Sequence, residues 1–330
     1  MNFCTVADMQ RDIVSNRHRF PRDIDAVIGI PRSGMLAASM IALALNKPLG
    51  DLDGFLEGRM LSSGSTRRTA DLERGIDGFR HVLIVDDSSR TGAAMIEARG
   101  KAAALSPRLR MTFAVIYGAP DMPDVVDISL RTVPEPRVFE WNVMHHPVLA
   151  EACLDIDGVL CLDPDAAQND DGAAYIAFMN DAPPLHLPTR RIGALVTSRL
   201  EKYRPHTEAW LARHGVDYDR LVMLDLPDAE TRRRLGAHGR FKGEYYRDCR
   251  ASLFIESEYA QARQIAAISG KPVLSLEGLT MCLPGALSPV AAVQKLRKPD
   301  LVKRMARGLL GEAGYGRLKR SLGRGGASAA

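Results

Sequence analysis

The chain has 330 residues, a formal net charge of +4, 46% hydrophobic and 25% charged residues, which is ordinary for a soluble protein and long enough for two domains with separate cores. No stretch is long and apolar enough to span a membrane, and the opening MNFCTVADMQRDIV is charged and amphipathic, without a secretory h-region. Five cysteines, Cys4, Cys153, Cys161, Cys249 and Cys282, are scattered without a CxxC pair; neither a disulfide framework nor zinc is expected, and a cytoplasmic location is.

Thr5 to Arg17 reads as an amphipathic helix. Ala26–Ile30 is a strand that runs into the tight turn Gly29-Ile30-Pro31-Arg32-Ser33-Gly34. There Gly29 and Gly34 let the backbone approach an anion, Arg32 supplies positive charge, and a helix starting near Ser33 supplies N–H donors. The segment His81–Met95, HVLIVDDSSRTGAAM, carries the most information. Val82–Val85 reads as a buried parallel strand, which places Asp86 and Asp87 at its carboxyl end, where open α/β sheets bind ligands. Ser88-Ser89-Arg90-Thr91-Gly92 then offers hydroxyls and amides at the start of a helix running over Thr91–Leu105. Acids for sugar hydroxyls beside donors for a phosphate point to a ribose phosphate. Strands follow at Met111–Tyr117 and about Val125–Thr132, and Pro134-Glu135-Pro136 breaks the pattern before Val138-Phe139-Glu140-Trp141. Asn142–Ala150 reads as a linker.

Asp86, Asp87 and the following loop closely resemble the ribose-phosphate motif of type I phosphoribosyltransferases, and the Pro31–Gly34 turn resembles that family's pyrophosphate loop. The resemblance implies that the two acids bind the ribose hydroxyls of phosphoribosyl pyrophosphate and that Ser88–Gly92 cradles its 5-phosphate. It implies Mg2+ on the pyrophosphate and a mobile covering loop, for which Glu57–Ala70 with Arg59, Arg67 and Arg68 is the candidate. Phe139 or Trp141 sits where purine-type relatives place an aromatic ring over the base. Arg90 stands where hypoxanthine-type members carry an aspartate, which argues against that proton transfer and leaves the nucleobase-like acceptor open.

At Ala152 the strand–helix alternation restarts, with strands at Ala152–Ile156, Ile192–Thr197, Leu221–Leu224, Ser252–Ile255 and Val273–Leu276. Asp155 ends the first of these, and Asp157, two residues on, faces the same side. Two such carboxylates suit Mg2+ and a phosphoryl group, and Gly158 permits a sharp turn. ACLDIDGVLCLDPD closely resembles the first motif of the haloacid dehalogenase superfamily. That implies Asp155 as nucleophile, Asp157 as general acid and base, Thr197 of LVTSR as a phosphoryl ligand, and Lys242 as the neutralising lysine, with Arg240 and Arg247 as competing candidates. Glu256 and Glu258 fit the acidic fourth motif and, with Asp155 and Asp157, make up the expected metal ligands. Arg199, Thr207 and Trp210 resemble a 5′(3′)-deoxyribonucleotidase-like branch, although Trp210 also reads as core. The short segment Cys161–Arg191, with one helix over Gly172–Asn180, allows only a small cap.

The expected architecture is thus α/β, with two mostly parallel sheets flanked by helices. Residues 1–150 would form a phosphoribosyltransferase-like domain, 151–290 a Rossmann-like phosphatase domain, and 291–330 a basic tail, partly helical or disordered. From Ala291 onward ten Lys/Arg face two acids, so the tail accounts for more than the whole net charge. An amphipathic run over Asp300–Leu310 could contact acidic surfaces, but a solvated, frayed end is the simpler reading. The leading function is a bifunctional enzyme joining phosphoribosyl transfer to hydrolysis of a phosphomonoester. The alternatives are a sensor of nucleotide or phosphoribosyl pyrophosphate fused to a phosphatase, and a scaffold carried by the tail. The oligomeric state is open, a homodimer included.

Overall fold

The computed structural model describes residues 1–62, 76–105 and 107–285. Arg67 and Arg68 of the expected covering loop, and the basic tail with its Asp300–Leu310 run, lie outside the described residues.

A short strand β1 (Asn2–Cys4) precedes helix α1 (Val6–Asn16). Thr5 and Asp8 form a reciprocal capping box at the start of α1, and Met9 and Ile13 bury its apolar face. The chain continues through β2 (Ala26–Gly29), α2 (Gly34–Leu45), β3 (Leu49–Asp51), α3 (Leu52–Leu56), β4 (His81–Ser89), α4 (Ala93–Ala102), β5 (Arg110–Gly118), β6 (Ile128–Thr132) and β7 (Arg137–Phe139). Strands β2 to β6 form a parallel sheet in the order β3-β2-β4-β5-β6, while β7 pairs with β1. The unbroken apolar run of β4 follows from cover on both faces: Leu83 and Val85 enter one core, Val82 and Ile84 the other.

The second half runs through β8 (Ala152–Leu154), α5 (Ala173–Asp181), β9 (Ala194–Leu200), α6 (Arg204–Arg213), β10 (Leu221–Leu224), α7 (Ala229–Leu235), α8 (Ala237–Asp248), β11 (Leu253–Glu256), α9 (Tyr259–Ser269), β12 (Val273–Ser275) and β13 (Thr280–Cys282). Its sheet order is β10-β9-β8-β11-β12-β13, parallel except for the final hairpin partner β13. Helix α5 rests on α6, where Trp210, fully buried, donates from Nε1 to the Ala182 carbonyl at 2.8 Å. Trp210 is therefore core. Among the described residues no helix is long and apolar enough to cross a membrane.

Both sheets are open, and each has one gap where the chain's direction of travel across the sheet reverses. In the first sheet the gap lies between β2 and β4, in the second between β8 and β11. Such switch points form crevices at the carboxyl ends of the strands.

Several boundaries differ from the sequence-based expectation. β4 does not stop at Val85 but continues to Ser89, because β5 pairs with it as far as Gly118. Asp86 and Asp87 therefore lie within the strand rather than just past its end. The helix expected over Thr91–Leu105 starts at Ala93 and tightens into a 3-10 turn at Ala103. Asn142–Ala150 is not a loose linker. It folds into two 3-10 turns that bury Val143, Met144 and Leu149.

Candidate active sites

At the first switch point three separated segments meet on one carboxylate. Ser33 Oγ donates to Asp87 Oδ1 at 2.8 Å, and Trp141 Nε1 donates to Asp87 Oδ2 at 2.7 Å. The neighbouring Asp86 Oδ1 accepts the Asp87 amide at 2.9 Å. Both acids are buried, and burial together with the adjacent Asp87 charge pushes the Asp86 carboxyl up to about 8. Gly34 explains how the turn comes so close: a Cβ there would lie 2.7 Å from the Val85 carbonyl oxygen and 3.0 Å from the Asp86 Cα. Pro31 and Arg32, joined by a cis peptide bond, are exposed beside it.

The loop after β4 is held from within. Gly92 donates its amide to Ser89 Oγ at 3.2 Å, and the Ser89 carbonyl accepts from Ala119 and from Arg137. Ser88 is half-buried, while Arg90 and Thr91 are exposed at the start of α4, whose first amides have no partners within the helix. Arg137, buried, is a loop support that the sequence reading did not single out; nothing in its local pattern marks it, because its contacts come from β4, β5 and the segment before β7. Phe139 packs against Tyr117 at 5.5 Å and Trp141 at 4.9 Å, with those two rings 6.3 Å from each other, and is buried. Its burial leaves a base little access to it, so the half-buried Trp141 is the stacking candidate. Of the expected covering loop, Arg59 is described; it is exposed and pairs with Glu57.

At the second switch point the carboxylates are matched by buried cations. Lys242 Nζ lies 2.5 Å from Asp155 Oδ2 and 2.8 Å from Glu256 Oε2, with all three side chains buried. Asp155 Oδ1 accepts the Ile156 amide at 2.8 Å, and Glu256 Oε1 accepts the Ser257 amide at 3.0 Å. Burial pushes the Asp155 carboxyl up, and it also opposes the charge on Lys242, which its two carboxylate partners hold protonated. Asp157 is gripped by the fully buried Arg199, whose Nη2 donates to Oδ1 at 2.6 Å and whose Nε donates to Oδ2 at 3.1 Å. Thr207 braces the same guanidinium. At Gly158, φ is +71° and a Cβ would lie 2.5 Å from that of Ser257, which is why the turn after the acids carries no side chain.

A cavity of 300 Å3 opens over these groups. Its walls include Asp155, Asp157, Thr197 and Lys242, with four residues absent from the sequence reading: Ser198, Arg232, Asp163 and His238. Ser198 Oγ and Arg232 Nε are buried and have no hydrogen-bond partner, and Arg232 Nη1 donates to the Ser198 carbonyl at 2.8 Å. Burial pushes Asp163 up, with the Asp157 charge adding; it pushes His238 down, with Arg232 and Lys242 adding. Ser198 was readable as the second hydroxyl of LVTSR; Arg232 sits in a run of three arginines with no mark to distinguish it.

Two expectations need correction. Arg240 and Arg247 pair with Glu244 and Asp248 at the surface, so neither competes with Lys242. The four carboxylates expected to ligate a metal do not assemble: among the described residues no group of three or more His, Cys, Asp or Glu side chains is placed to hold an ion. Asp157 is committed to Arg199, and Glu258 is exposed and accepts from Gln261.

The family model described as phosphoribosyl transferase domain matches residues 5–151. Among solved structures, the xanthine-guanine-hypoxanthine phosphoribosyltransferase of Helicobacter pylori is 14% identical over 43% of this chain and 93% of its own, with a TM-score of 0.32. A purine phosphoribosyltransferase of Pyrococcus horikoshii is 20% identical over 42% of this chain and 92% of its own, with a TM-score of 0.31. A hypothetical protein of Neisseria gonorrhoeae, solved with bound ppGpp, is 19% identical over 43% and 90%, with a TM-score of 0.31. No match is found among curated proteins. On the family match, which spans the first sheet and its acid pair, residues 5–151 are a phosphoribosyltransferase domain.

Proposed function

We propose that the chain is a bifunctional enzyme. Its first domain transfers a phosphoribosyl group from phosphoribosyl pyrophosphate to a nucleobase-like acceptor. Its second half is a haloacid dehalogenase-type phosphatase with a small cap that hydrolyses a phosphomonoester. The observation that carries this reading is that each sheet bears a pair of carboxylates beside anion-directed donors at its own switch point.

In the transferase, Asp86 and Asp87 accept from the ribose hydroxyls. The amides and hydroxyls of Ser88, Ser89, Arg90, Thr91 and Gly92 hold the 5-phosphate, and Pro31–Gly34 holds the leaving pyrophosphate. Catalysis is positioning plus stabilisation of developing charge. Trp141 stacks on the acceptor base after releasing Asp87. In the phosphatase, an Asp155 oxygen attacks phosphorus, the bond to the leaving oxygen breaks, and Asp157, as general acid, gives that oxygen its proton. Water then attacks the aspartyl-phosphate, its proton passes to Asp157, and the Asp155 carboxylate departs. Thr197, Ser198, Lys242 and Arg232 take the phosphoryl oxygens.

Mg2+ belongs to the proposal. A hard cation that keeps several waters needs only one or two carboxylates, and the buried oxygens of Asp155 and Glu256, two acids sharing one lysine, fit that need. When bound it would neutralise phosphoryl charge there, as it would on the pyrophosphate in the first site. A linked pathway, in which the second site dephosphorylates the nucleotide made by the first, accounts for the fusion.

The test is separate assay of pyrophosphate and phosphate release with phosphoribosyl pyrophosphate, Mg2+ and a panel of nucleobases. Base-dependent pyrophosphate release should vanish in Asp86→Asn/Asp87→Asn and survive in Asp155→Asn. Phosphate release should fall by about 10³-fold or more in Asp155→Asn. A second reading is favoured by one observation: both Asp87 oxygens are already occupied, by Ser33 and Trp141. In that reading the first domain senses its ligand and regulates the phosphatase without turnover. Absence of base-dependent pyrophosphate release, with phosphatase activity responding to phosphoribosyl pyrophosphate, would select it.

A further inference from the structure

Cys153 and Cys249, 96 residues apart in the chain, bring their sulfurs to 3.8 Å. Cys153 is fully buried on β8, and Cys249, half-buried, closes α8, the helix that carries Lys242. Both line a cavity of 990 Å3 at the amino ends of β8, β9 and β11, the end of the sheet away from Asp155. The other cysteines, Cys4, Cys161 and Cys282, are buried. No third side chain completes a metal cluster among the described residues, so the pair is not half of a zinc site.

We propose that Cys153 and Cys249 form a reversible disulfide, with Cys249 meeting the oxidant and Cys153 resolving it. The sulfurs need to close by about 2 Å to reach bonding distance. The cavity gives a bulky oxidant access to Cys249, while burial denies it Cys153. The oxidant class is a small-molecule disulfide such as glutathione disulfide. The Cys249 thiolate attacks one of its sulfurs, the S–S bond breaks, and one glutathione thiolate leaves and takes up a proton. The Cys153 sulfur then attacks Cys249 in the mixed disulfide, and its proton goes to the departing second glutathione. The two protein thiols lose two electrons, and one glutathione disulfide becomes two thiols. Local chemistry supports this order. Lys271 Nζ donates to the carbonyls of Tyr246, Cys249 and Ala251, which places its charge beside the thiol. The hydrogen bond with Cys153, then the Ala251 backbone amide and that lysine, push Cys249 down to about 6 against its burial.

The experiment uses the full chain, reduced and then equilibrated in glutathione buffers of rising oxidised fraction, with alkylation and peptide mapping by mass spectrometry. Neither proposed activity is needed for the readout. A Cys153–Cys249 linked peptide that disappears with dithiothreitol is expected. Cys153→Ala should stop at a glutathione adduct on Cys249, and Cys249→Ser should leave Cys153 unmodified. A native chain that keeps the adduct on Cys249 without bridging, or one in which another cysteine reacts first, overturns the proposal. Should Cys153→Ala fail to fold by circular dichroism, the linked peptide from the unaltered chain decides alone.

Discussion

The two acidic centres hold their carboxylates in opposite ways. Asp87 in the first sheet is held by neutral donors: a hydroxyl and an indole N–H. In the second sheet Lys242 bridges Asp155 and Glu256, and Arg199 clamps Asp157. Neutral donors can be exchanged for the hydroxyls of a sugar with little net change in charge. Buried cations cannot be exchanged in that way; in the proposed phosphatase they would remain in place to receive phosphoryl oxygens. The same residue type at the same point of the same kind of sheet is thus held in two ways, and the difference lies in what covers the carboxylates.

Lys242→Met tests this contrast most severely. It removes the cation shared by two buried carboxylates, and a cost of about 3–5 kcal/mol is expected, measured by urea unfolding of the full chain. A cost below 1 kcal/mol would mean that those carboxylates do not depend on the buried cation, and the contrast would collapse. Trp141→Phe keeps the stack on Phe139 and removes one donor to Asp87. It should cost about 1.5–3 kcal/mol in the same measurement and tighten binding of phosphoribosyl pyrophosphate, read by calorimetry, because Asp87 is freed. Weaker binding would show the indole to be part of the ligand site rather than a stand-in for ligand.

A further test is the pH dependence carried by Asp86. Its folded carboxyl stands at about 8 against 3.8 for the free group, so the folded state binds the proton more tightly than the unfolded state. The contribution is fully present below pH 3.8, declines as pH rises and is gone above about 8. Asp86→Asn should therefore melt increasingly above the parent as pH goes from 5 to 8.5, by about 2–4 °C for each kcal/mol. Parallel melting curves across that range would remove burial as the main influence on this acid.

Much of both sites was legible because their parts are local. Asp86 to Gly92 is one strand end and its turn, Asp155 to Gly158 another, and in each case apolar residues lead straight into acids. Lys242 was one of three candidates with Arg240 and Arg247, and the surface partners of the two arginines separate it from them. The end of β4 was misplaced because a strand's length depends on its neighbour, here β5, rather than on its own hydrophobicity.

By itself the sequence determined the strand–helix alternation, the restart at Ala152, and the acids at two strand ends, all of which follow from short-range periodicity and turn chemistry. The tertiary structure alone decided what those acids touch. Ser33 and Trp141 each reach Asp87 across 54 residues, Arg199 reaches Asp157 across 42, and Cys249 reaches Cys153 across 96. Such pairings depend on strand order and on the placement of helices over the sheet. The charge state and reactivity of each group depend on burial, which no local pattern encodes.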